Sequence, residues 1–117
     1  MPKVRARRKA ADLAPVFAAL GDRTRLRLLN RLSGGGAHSI SALAAETSLT
    51  RQAVTRHLQV LESAGLLRSE RAGRETRFAF EGESLDEAHG YLGAVSAQWD
   101  AALGRLKAFV ETGASSG

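Results

Sequence analysis

Cysteine is absent from this chain of 117 residues. That excludes disulfides, thiolate metal sites, cysteine nucleophiles and thiol redox sensing. No apolar run approaches the ~20 residues that a membrane-spanning helix needs, and no signal-peptide pattern opens the sequence. The expectation is a cytoplasmic protein with no membrane partner. The run at residues 33–39, Ser-Gly-Gly-Gly-Ala-His-Ser, lacks a preceding strand and a Gly-Lys-Ser/Thr ending, so it reads as a flexible loop and not a phosphate-binding one. There is no nucleophile–base pair, no pair of carboxylates in an apolar setting and no cofactor motif. An enzyme is therefore not expected, nor a resident cofactor.

Positive charge is in surplus. The net charge is +5 and the pI about 10.7, which suggests a polyanionic partner. The surplus is segregated. Residues 1–32 hold nine Lys/Arg against two Asp/Glu, a net of +7, and residues 51–77 hold six against three, a net of +3. Residues 81–117 hold two against six, a net of −4. A chain that needed charge only for solubility has no reason to sort it this way. The length suits one domain with a modest core.

The basic middle is an amphipathic helix over residues 51–64. At ~100° per residue Val54, Leu58 and Leu61 fall on one side, and Arg51, Gln52, Thr55, Arg56 and Gln59 on the other. That second stripe has no acid and consists of groups that bond to phosphates and base edges. Thr50 is a good N-cap. A shorter helix is expected over residues 41–47, with Ile40, Leu43 and Ala44 as its apolar face, joined through Ser48 and Leu49. Two short helices so joined form a helix-turn-helix, whose second helix enters the major groove. Gly65 ends the helix as a left-handed cap. Two alternating runs follow, residues 67–71 and 75–80, with Ala72, Gly73 and Arg74 between them, and predict a basic hairpin carrying Arg71, Arg74 and Arg77. A helix-turn-helix followed by such a hairpin is a winged helix.

The flanks complete the pattern. Residues 1–9 form a basic arm, read either as a phosphate or minor-groove contact or as a solvated tail. Residues 10–20 predict a helix with Leu13, Val16, Phe17 and Leu20 on one face and Pro15 in its first turn. Asp22 caps the next helix, in which Leu26, Leu28, Leu29 and Leu32 are core candidates. Arg23 and Arg25 lie near its start, within reach of a phosphate, whereas Arg27 and Arg31 read as a solvated face. His57 falls among Ala53, Leu61 and Ala64, so a packed histidine with one internal hydrogen bond is expected rather than a DNA contact. Ser84 or Asp86 is expected to cap a final helix reaching about residue 112. Its seam is Leu92, Val95, Trp99, Ala102, Leu106 and Phe109, with Leu103 and Val110 beside it. A domain this small does not cover such a stripe alone, so it reads as a dimerisation helix working with Leu13 and Phe17. Residues 113–117 read as a disordered tail.

The order of elements resembles the ArsR/SmtB family of bacterial winged-helix repressors over about residues 10–112. The likeness is carried by Asp22-Arg23-Thr24-Arg25-Leu26-Arg27-Leu28-Leu29, by Ile40-Ser41-Ala42-Leu43-Ala44, by Gln52 through Leu66, and by Ala72-Gly73-Arg74-Glu75. The resemblance implies a mainly α fold with a small β-hairpin, a winged helix-turn-helix with N- and C-terminal dimerisation helices. It also implies a homodimer that binds a partly palindromic operator in double-stranded DNA and usually represses transcription. The departures are informative. Where metal-sensing members carry Cys-x-Cys, this chain has Ser41-Ala42-Leu43, and the final helix offers Asp86, Glu87, His89 and Asp100 without a second histidine. No metal is expected, and the chain looks similar to a non-metal branch whose inducer is not legible here. Ser48 stands where glycine is common in the turn. The alternative is a winged helix that docks a protein through its terminal helix, with only weak, non-specific DNA binding. The basic stripe at Arg51 and Arg56 argues against it.

Overall fold

The computed structural model describes residues 10–113, so the basic arm and residues 114–117 of the tail lie outside the described residues. The elements run α1 (Ala10–Leu20), α2 (Arg23–Leu32), β1 (Ala37–Ser39), α3 (Ile40–Ala45), α4 (Arg51–Ser63), β2 (Leu67–Ala72), β3 (Glu75–Phe80) and α5 (Glu83–Gly113).

Three of the helices begin on side-chain caps. The Asp22 carboxylate accepts the Arg25 N–H at 2.9 Å, the Ser39 hydroxyl accepts the Ala42 N–H at 3.1 Å, and the Thr50 hydroxyl accepts the Ala53 N–H at 3.1 Å. Each satisfies one of the four N–H groups that a helix start leaves without a partner. The end of α4 is a Schellman motif: the Gly65 N–H donates to the Glu62 carbonyl and the Leu66 N–H to the Leu61 carbonyl, each at 2.9 Å. Gly65 has φ +80°, and a Cβ there would lie 2.5 Å from the Ser84 hydroxyl oxygen. Backbone conformation and the arriving α5 both demand glycine at this corner.

One core joins these elements. Leu13 and Val16 of α1, Leu28 and Leu32 of α2, Leu43 of α3, and Val54, Leu58 and Leu61 of α4 close on Leu66, Phe78 and Ala88. The apolar sides of α3 and α4 thereby fix the crossing of the helix-turn-helix against the sheet.

The structure corrects four expectations. The loop at residues 33–39 ends in a strand: β1 pairs antiparallel with β3, Ala37 opposite Ala79 and Ser39 opposite Arg77, so the hairpin becomes a three-stranded sheet in the order β1-β3-β2. Three residues after a glycine run carry no periodicity that sequence reading can use. Leu26 is 43% exposed instead of buried, because it lies roughly 120° from the middle of the arc that Leu28, Leu29 and Leu32 share at ~100° per residue. Pro15 sits inside α1 on its exposed side, not in the first turn, since buried Leu13 and Val16 hold the helix on both sides of it. Finally, α5 begins at Glu83, with the Asp86 N–H donating to the Gly82 carbonyl at 2.9 Å, so the cap position is Gly82, two residues ahead of Ser84 and four ahead of Asp86.

Among the described residues no helix is long and apolar enough to cross a membrane. No group of three or more His, Asp or Glu side chains there is arranged to hold a metal ion.

Candidate nucleic-acid interface

The burial of α4 decides what its other side presents. Val54, Leu58 and Leu61 are fully buried, which turns Arg51, Gln52, Arg56 and Gln59 outward, and all four are exposed. The acid-free stripe is therefore a real surface, two guanidiniums and two amides along one side of a capped helix. Thr50 and Thr55 have a different standing. The Thr50 hydroxyl accepts the capping hydrogen bond, and the half-buried Thr55 donates its hydroxyl proton to the Arg51 carbonyl at 2.8 Å. The Thr50 hydroxyl still has its own proton to donate, and the Thr55 oxygen keeps a lone pair for a further donor.

His57 faces inward as its helical angle predicts. Its Nδ1 lies 3.4 Å from Nη1 of Arg25 and 3.8 Å from the Asp22 carboxylate. Arg25 does not point toward solvent phosphate. Its Nε donates to the Ala19 carbonyl at 2.7 Å and its Nη2 to the Ala18 carbonyl at 3.3 Å. One guanidinium thus satisfies the carbonyls at the end of α1 while touching the recognition helix. Asp22 sits in the same junction. The hydrogen bond from the Arg25 backbone N–H holds its carboxyl below the usual range, partly offset by desolvation and reinforced by the charges of Arg25 and His57. Nothing local in the sequence marks Arg25 for this task, because its partners lie in two other helices.

The wing is a two-residue hairpin, with Ala72 opposite Glu75. Gly73 has φ +66° and no other residue type has positive φ among the described residues. That is the pattern of a type II′ turn, whose twist matches the strands. The root of the wing is bound to α4: Glu62 accepts the Ser69 backbone N–H at 3.1 Å and also the Ser69 hydroxyl. This tie holds the hairpin at a set angle to the recognition helix.

Register separates the three wing arginines. Cross-strand partners share a face. Arg71 opposes Thr76 on the face that continues, toward the root, into Ser69–Phe78 and Leu67–Phe80. Arg77 opposes Glu70 on the other face and lies 3.4 Å from Glu75. All three are exposed, but Arg77 is partly neutralised by Glu75 and lies on the face away from the α4 side. Side-chain alternation thus puts Arg71 and Arg77 on opposite faces of the wing.

The dimerisation stripe is unburied in the single chain. Trp99, Leu103, Leu106 and Phe109 are 58–70% exposed and Leu92 is 51% exposed, while Val95 is half-buried. Only the start of α5 packs: Ala88 enters the core, and the rings of Phe17 and Tyr91 meet at 6.0 Å with a 52° tilt. Leu13 is corrected. It is 1% exposed, part of the core of one chain rather than a surface offered to another. Tyr91 is the contact that the heptad pattern missed, since it lies beside the seam.

Comparison with known proteins places this geometry. A helix-turn-helix domain family matches residues 20–70. An uncharacterized HTH-type transcriptional regulator of Bacillus subtilis, YuzN, is 40% identical over 76 residues, covering 60% of this chain and 83% of that protein. Among solved structures, an ArsR-like transcriptional regulator from Rhodococcus sp. RHA1 superposes with TM-score 0.71 at 40% identity, over 83% of this chain and 91% of that one. A possible ArsR-family regulator from Mycobacterium bovis, solved as a homodimeric winged helix-turn-helix DNA-binding domain, superposes with TM-score 0.61 at 27% identity, over 83% of this chain and 92% of that one.

Proposed function

Since the chain belongs to the ArsR family of winged helix-turn-helix transcriptional regulators, we propose that it is a homodimeric repressor that reads a palindromic operator in the cytoplasm. The observation that carries this reading is the exposed, acid-free side of α4, Arg51, Gln52, Arg56 and Gln59, fixed by a core on its opposite side. Arg51 and Arg56 suit guanine edges or phosphates, and Gln52 and Gln59 suit adenine edges. Arg71 and Arg74 supply phosphate attraction from the wing. Repression needs no catalysis: occupancy of the operator excludes polymerase.

A second copy of the chain is the natural cover for the α5 stripe. A homodimer presents two copies of α4, and two half-sites one helical turn apart, about 34–36 Å, match that symmetry. The relative from Mycobacterium bovis is homodimeric, which supports the same assembly here.

The test is binding of the purified protein to a labelled fragment from upstream of its own gene, beside a random duplex, at two salt concentrations. Selective binding that survives the higher salt supports the proposal. Equal and steeply salt-dependent binding to both duplexes would leave only the electrostatic attraction and overturn operator recognition.

A further inference from the structure

On sequence, Arg23 and Arg25 are the arginines of α2 within reach of a phosphate, and Arg27 reads as part of a solvated face. The structure reverses Arg25 and Arg27. Arg25 is spent on the Ala18 and Ala19 carbonyls. Arg27 is exposed and makes no ion pair or hydrogen bond among the described residues. It lines a groove of about 290 Å³ between α2 and the turn that leads into α4, together with Thr24, Arg31, Glu46, Thr47 and Ser48.

The charges of this groove do not cancel. Arg31 donates through Nε to both oxygens of Glu46, at 3.2 and 3.0 Å, so that pair is neutral together. No other acid lines the groove, and Arg27 is the unbalanced charge. The hydroxyls differ in the same way. The Thr47 hydroxyl donates to the Ala44 carbonyl and accepts the Leu49 N–H, each at 3.1 Å. The exposed Ser48 hydroxyl makes no such bond among the described residues. Buried Leu28 and Leu43 form the floor and keep α2 and the turn at a set spacing.

Resting on the DNA-binding reading above, we propose that Arg27 and Ser48 form a phosphate clamp for the DNA backbone strand flanking the major groove at the start of α4. Ser48 precedes the Thr50 cap by two residues and Arg51 by three, so a strand running beside the α4 entrance passes this groove. Arg27 supplies the charge and a fork of N–H donors, and Ser48 a neutral O–H donor. Neither touches a base, so the clamp sets orientation and affinity rather than sequence preference. The role also gives Ser48 a reason to stand where the family commonly has glycine.

Arg27→Ala is expected to weaken binding to operator and random duplex by the same factor, roughly five- to tenfold near 0.1 M salt, and to lower the slope of log K against log salt by about one unit. Arg27→Lys should restore the slope, because it restores the charge. Ser48→Ala should weaken binding about two- to threefold with the slope unchanged, because it removes a neutral donor. Both side chains are exposed, so the thermal midpoint of each variant should stay within a degree or two of the parent, which separates lost contact from lost fold. A wild-type protein that binds DNA while Arg27→Ala leaves its slope unchanged overturns the clamp alone. A wild-type protein that binds neither duplex overturns the clamp and the operator reading together.

Discussion

Two amphipathic helices of this chain, α4 and α5, carry the same kind of apolar stripe and meet opposite fates. In α4 Val54, Leu58 and Leu61 are 0% exposed, whereas in α5 Trp99, Leu103, Leu106 and Phe109 stay 58–70% exposed. The stripe pattern is a demand for cover, not a statement of who provides it. For α4 the cover comes from α1, α2 and the sheet within 50 residues of chain. For α5 the described residues of the same chain provide no such cover. The polar sides differ too: α4 shows two arginines and no acid, while α5 mixes Asp100, Glu111, Arg105 and Lys107.

Cutting each stripe in turn is the strongest way to break that contrast. Leu58→Ala should cost about 2–5 kcal/mol of unfolding free energy, because it opens a cavity in a packed core. Leu106→Ala should leave the unfolding of a dilute monomer within about 0.5 kcal/mol but weaken self-association at least tenfold, read by sedimentation. Equal losses of fold stability from both substitutions would mean that α5 is covered within its own chain.

The contrast between reading and attraction comes next. Gln52→Ala should relax preference at one position of each half-site, by about 1–3 kcal/mol of discrimination in a competition assay. Arg74→Ala should instead weaken operator and random duplex alike and lower the salt slope by about one unit. Identical behaviour of the two variants would erase the division between α4 and the wing.

The entry to α4 offers a smaller lever. Thr50→Ala should lower stability by about 1 kcal/mol in chemical denaturation, whereas Thr50→Ser should be nearly neutral.

The smallest effect concerns the junction behind α4. The folded-state pKa of Asp22 is lowered, so its stabilising contribution is present above the unfolded value of about 3.9 and is lost as pH falls through the folded value. Melting curves of wild type and Asp22→Asn should therefore differ at neutral pH and converge under acid. A difference that persists unchanged at low pH would show that the carboxylate charge is not what stabilises the junction.

Much of this molecule is legible in its residues taken a few at a time. Thr50, Gly65, Gly73 and the Val54-Leu58-Leu61 spacing act within one or two turns of chain, so the cap, the Schellman end, the hairpin turn and the outward side of α4 follow from local rules. The absence of acids on that side and the surplus of arginine elsewhere point to a polyanion without any coordinates. What tertiary structure alone decided are the contacts between residues far apart in the chain. The pairing of β1 with β3, the Arg25 guanidinium on the end of α1, the Glu62–Ser69 tie and the freedom of Arg27 beside a neutralised Arg31 all depend on which elements become neighbours. No single segment's periodicity carries that information, because each of these side chains is compatible with solvent until the core of α1, α2 and α4 closes and places its partner within reach.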